Sequence, residues 1–168
     1  MGMLFSWMTC KVPGTDAWRD GLEDPAVRAL HARLNGCTAT VAQALLASGG
    51  WGDWLDGMLF APSEVFRFYV RVVAEYLGTP SSAGDFETAA TFLVLLNART
   101  RLDLPSVCGC LLEDAVAQIA ARPAFHAVSL EEQAELCVRA TRVRSGWAGE
   151  VREWQPVTSE NRELHAPS

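Results

Sequence analysis

Residues 45–80 read LLASGGWGDWLDGMLFAPSEVFRFYVRVVAEYLGTP, a Gly-Trp turn followed by an aromatic-rich helix and a stop. Pro62 suits a first helical turn, Gly78 a C-terminal cap and Pro80 a following break. Between them Phe66, Tyr69, Val70, Val73 and Leu77 recur at helical spacing, while Arg67, Arg71 and Glu75 fall four residues apart on the other side. The spacing predicts a helix with one buried face. It supplies packing and a surface for a partner, with no reactive constellation in it.

The same punctuation continues in both directions. Asp24-Pro25 starts a helix carrying Val27, Leu30 and Leu34 on one side and ending near Asn35-Gly36. Thr38 or Thr40 can cap the next, Val41 to Ala47, which stops at Gly49-Gly50, and a short segment from Trp51 to Phe60 follows. Beyond the aromatic helix, Asp85 can cap a helix through about Arg101 whose middle, AATFLVLL, is apolar all round apart from Thr91. A helix without a polar face belongs in the centre of a bundle. Pro105 opens a further helix striped by Cys108, Leu111, Leu112, Ala115 and Ile119 and closed by Arg122-Pro123. Ser129 and Glu132 have the spacing of a capping box before a helix to about Val143. Strand signals are few. The expected fold is all-α, a single domain of about seven helices around one apolar helix.

At 168 residues, with 49% hydrophobic and 20% charged residues, the chain can bury one substantial core. Three stretches are expected: an apolar N-terminal segment over 1–20, a helical domain over 21–145, and a polar, flexible C-terminal tail over 146–168. The net charge of −6 argues against nucleic acid as the main partner, because such binders concentrate positive charge. Five cysteines, an odd number without regular spacing, fit reducing surroundings better than a disulfide framework. No apolar run reaches the length of a membrane span, and the start lacks a secretory pattern. An intracellular location is expected.

No enzyme constellation emerges. His31 and His126 have no serine or cysteine in a nucleophile setting beside them, and GGWG lacks the spacing and lysine of a phosphate loop. Cys108 and Cys110 could join His126 and Cys137 at a metal, but a second closely spaced pair is missing and small packing residues explain them as well. The reading is therefore no catalysis, no metal and no cofactor. One targeting signal is present: Met1-Gly2-Met3-Leu4-Phe5-Ser6 fits N-myristoylation at Gly2. One acyl chain binds membranes weakly, so Leu4, Phe5, Trp7 and a palmitoylated Cys10 would have to assist peripheral membrane association. The alternative is an apolar strap packed on the core.

A family resemblance rests on the order of several motifs. Leu22-Glu23-Asp24-Pro25-Ala26-Val27-Arg28-Ala29-Leu30, then Leu45-Leu46-Ala47-Ser48-Gly49-Gly50, then Phe66 to Leu77 with Thr79-Pro80 and Phe92-Leu93, resemble the adenovirus early-region small T-antigen family over roughly residues 22–121. The resemblance implies a Bcl-like fold and a viral inhibitor of host cell apoptosis acting in the host cytoplasm, at host membranes or at the nuclear envelope. Its partners would be pro-apoptotic proteins such as BAK and BAX, whose amphipathic death-motif helix enters a hydrophobic groove. It further implies that Ala89 to Ala98 is the central helix, paired with Pro105 to Ala121. The groove would lie between the Val41, Trp51 and Ser63 helices and the start of the central one. Phe66, Val70, Val73, Leu77, Phe86 and Phe92 would line it, although each is equally readable as plain core. Where the family carries Thr-Pro-Gly-Arg this chain has Thr79-Pro80-Ser81-Ser82, so the charged anchor is missing and Arg71 is the nearest replacement. A different class of function also fits the composition: a small acidic helical immunity or adaptor protein that neutralises a basic partner.

Overall fold

The computed structural model describes the backbone of residues 11–49, 52–99 and 106–153, with side chains over 11–49, 54–99 and 110–147. The first elements among the described residues are short, α1 over Thr15–Trp18 and a 3-10 turn over Arg19–Gly21. Then come α2 (Pro25–Leu34), α3 (Ala39–Ala47), α4 (Gly52–Phe60) and α5 (Ser63–Leu77). A 3-10 turn at Pro80–Ser82 leads to α6 (Phe86–Ala98), followed by α7 (Ser106–Ala121), α8 (Pro123–His126) and α9 (Leu130–Glu153). No strand occurs among the described residues. The domain is all-α, and among the described residues seven helices build it besides the two four-residue helices α1 and α8.

The starts of these helices follow from side-chain chemistry. Asp24 accepts from the amides of Ala26 (2.8 Å) and Val27 (3.2 Å), satisfying donors that the first turn of α2 leaves open. Thr38, rather than Thr40, accepts from Val41 N–H at 3.4 Å and caps α3. Asp85 accepts from Thr88 N–H at the start of α6. At α9 the capping box closes in both directions: Glu132 N–H donates to Ser129 Oγ, and Ser129 N–H donates to the Glu132 carboxylate, each at 3.1 Å. The Ser129 N–H, with a second bond from Val128 N–H, holds the Glu132 carboxyl below its ordinary range.

Burial centres on two helices. Ten of the fifteen residues of α5 are buried, because α1, α3, α6 and α7 all pack on it. Eight residues of α6 are buried, from Thr88 to Leu96, between α4, α5 and α9. The apolar α6 is thus central, as its sequence predicts, but α5 shares the centre with it. The pairing implied by the resemblance also differs here: α9 lies along both α6 and α7, while α7 meets α5 and α8. Arg139 of α9 fastens the first of these contacts, donating to the Ala90 carbonyl of α6 at 3.2 Å and pairing with Glu135.

Two boundaries move outward from the sequence reading. The apolar stretch over 1–20 does not end where the domain begins, since Trp18 is fully buried and its ring meets His31 and Tyr69 at centroid distances of 5.2 and 6.1 Å. At the other end, α9 runs through Gly146 to Glu153, ten residues past Val143, so the helix extends into the stretch expected to be a polar tail. The polar composition after Ser145 masks one apolar anchor, Trp147, which packs against the core.

Helix α2 packs closely on α4. A Cβ placed on Gly57 would stand 2.7 Å from Leu30 Cβ and 2.9 Å from the Ala26 carbonyl oxygen. In a free helix Gly→Ala gains about 1 kcal/mol, but here the backbone oxygen cannot yield, and overpacking costs about 1–3 kcal/mol. Gly57→Ala is expected to lower the melting temperature by roughly 3–6 °C, an inversion of the usual sign that calorimetry would register.

Candidate partner-binding site

The residues implied as a groove do not form an open one. Phe66, Val70, Val73 and Phe92 are 0% exposed and Leu77 is 4% exposed; of the six only Phe86, at the start of α6, is half-buried. The geometry of α5 explains this. Phe66, Val70, Val73 and Leu77 share one stripe at 3.6-residue spacing, and that stripe points into the bundle. The Arg99 guanidinium sits over the Phe66 ring, 4.4 Å from its centroid, and donates to the Ala61 carbonyl. That clip ties the end of α6 to the junction of α4 and α5. The sequence reading missed Arg99, and a cation one residue past an apolar helix was the available signal.

The outward edge of α5 is the polar line Arg67, Arg71 and Glu75, each half-buried. Arg71 Nε donates to the Glu75 carboxylate at 2.8 Å, and Gln43 of α3 donates to the same carboxylate at 3.4 Å. The cation expected to anchor a partner's acid is thus engaged with a neighbour one turn away.

Helix α3 runs along α5 on the side of its tyrosines. Tyr69 Oη donates to the Leu34 carbonyl at 2.5 Å and lies 3.4 Å from the Cys37 carbonyl just before α3, and Gln43 reaches Glu75 further on. Burial pushes the Tyr69 phenol far above its ordinary range, so it acts only as a neutral donor. At the far end, Leu46, Ala47 and Gly49 face Tyr76, Ser81, Ala83, Gly84, Asp85, Glu87 and Thr88 across a cleft of about 220 Å³. Asp85 organises it: Tyr76 Oη donates to the carboxylate at 2.9 Å and Thr88 Oγ1 at 2.7 Å. Burial and this hydrogen bond push the Tyr76 phenol up as well.

Gly2 and Cys10, the two lipidation candidates, lie outside the described residues. Cys37, Cys110 and Cys137 are free thiols, and no cluster of three or more metal-ligating side chains occurs among the described residues. No helix among them is long and apolar enough to cross a membrane. Comparison of the chain with protein-family models, with curated proteins and with solved structures found no match.

Proposed function

We propose that this chain is a Bcl-like viral inhibitor of host cell apoptosis that holds pro-apoptotic partners such as BAK and BAX by their death-motif helix. The observation that carries the reading is the order of motifs from Leu22 to Leu93 that resembles the adenovirus early-region small T-antigen family. An all-helical domain with an apolar helix at its centre supports it. The closed stripe on α5 gives the proposal a physical consequence. Docking on Phe66, Val70 and Val73 requires neighbouring helices to part, so the affinity of a peptide is reduced by the fraction of chains that are open. Association is then slower than the roughly 10⁵–10⁷ M⁻¹s⁻¹ of preformed sites.

Isothermal titration with death-motif peptides of BAK, BAX and their activators tests the reading. The expected result is a dissociation constant of about 10 μM or tighter, equivalent to roughly 7 kcal/mol. Absence of binding by every such peptide at high micromolar concentration would remove it. The acidic adaptor reading would then take its place, favoured by the carboxylates of Asp85 and Glu87 around the cleft. A charge-led interface of that kind weakens steeply with added salt, whereas an apolar one does not.

A further inference from the structure

We propose that His126 is a proton-controlled clasp that fastens the corner between α5 and α6 to α8. His126 is 3% exposed, and its Nδ1 lies 3.2 Å from the carbonyl oxygen of Ser82. A carbonyl only accepts, so Nδ1 carries the proton of the neutral ring and Nε2 is the basic nitrogen. Ser82 is itself fully buried, its hydroxyl 2.9 Å from both the Leu77 and Thr79 carbonyls, which fixes the carbonyl that His126 reads. A second link crosses the same junction: Gly84 N–H donates to the Phe125 carbonyl at 2.8 Å. The Phe125 ring meets the imidazole edge-on at 4.9 Å.

Protonation keeps the bond to Ser82 but places a cation and a new N–H in a packed junction. Burial is the largest influence and pushes His126 below its ordinary range. Asp85, on the corner, favours the cation, and Arg122, at the end of α7 and 5.7 Å from the Phe125 ring, opposes it. From α9, Gln133 bonds the Ala127 carbonyl, and the Glu132 carboxylate is turned onto its own cap at Val128 and Ser129. The native state therefore prefers the neutral ring. Its contribution is complete above the unfolded value near 6.5 and is lost as pH falls through that value toward the lower folded one. Ser81, Ala83, Gly84 and Asp85 form one wall of the 220 Å³ cleft, so releasing the corner reshapes that cleft. Acid thus acts on the cleft through α8, independently of which partner the protein binds.

Nuclear magnetic resonance of the full chain between pH 7.5 and 5 tests the clasp. The His126 Cε1 proton is expected to titrate below 6.5, with the Gly84 amide shifting at the same midpoint. Gly84 exchange protection, corrected for the intrinsic rate, should fall at least tenfold across it while that of Leu93 stays constant. His126→Gln, which retains an N–H donor without titrating, should flatten the Gly84 response. A Gly84 amide that stays put while His126 titrates, or a His126 midpoint at or above 6.5, would overturn the proposal. Those two wild-type resonances decide it even if the variant does not fold.

Discussion

Trp18→Ala is expected to lower the unfolding free energy by about 3–5 kcal/mol, a large part of the stability of a domain this size. Trp18 lies in α1 and is fully buried against His31 and Tyr69, so its removal empties the space where α1, α2 and α5 meet. Its indole N–H has no hydrogen-bond partner among the described residues. The indole therefore contributes through area and shape rather than through its polar atom. Trp18→Phe should accordingly recover most of the loss, to within about 1.5 kcal/mol, because it restores most of the ring volume without requiring a bond. Urea denaturation of the two variants checks both statements. A loss near zero for Trp18→Ala would return residues 11–20 to the N-terminal segment and out of the domain.

The helix starts were legible because each is written in one local residue. Asp24, Asp85 and Ser129 with Glu132 cap helices where their spacing predicts, and of the two threonines that the sequence leaves open Thr38 caps α3. The apolar middle of α6 was legible for the same reason, since a helix without a polar face has one place to go. Helix ends were less so. Arg99 leaves the helical conformation at the end of α6, two residues before the expected stop, and α9 passes through Gly146. A glycine in a helix costs only about 1 kcal/mol, which the packing of Trp147 offsets.

The candidate site was legible only as a stripe. A 3.6-residue repeat says that Phe66, Val70 and Val73 share a face; it does not say whether that face lines a groove or fills the core, because both are apolar. Resolving this takes contacts distant in sequence: α6 and its Arg99 laid over Phe66, and α7 against α5. The same holds for His126. Its sequence neighbours place it in a turn, and only the approach of Ser82, 44 residues earlier, makes it a buried link.

The second large effect follows from the position of Val73. An aspartate there would put a carboxylate at a site that is 0% exposed, raising its pKa by up to about 3–5 units, which costs about 4 kcal/mol at neutral pH, where the group protonates before the cost can rise further. Lost packing of the valine adds to that, and the sum approaches the whole stability of a typical domain. Arg71→Ala, two residues away on the polar edge, should cost far less, about 1 kcal/mol. That the stripe Phe66, Val70, Val73 is core in the unliganded protein is tested most directly by thermal unfolding of Val73→Asp at pH 7, followed by circular dichroism. The predicted result is the loss of a cooperative transition, or a melting temperature lowered by more than about 10 °C. A variant that melts within a degree or two of the unaltered protein would contradict it, and would place Val73 on the wall of an open groove.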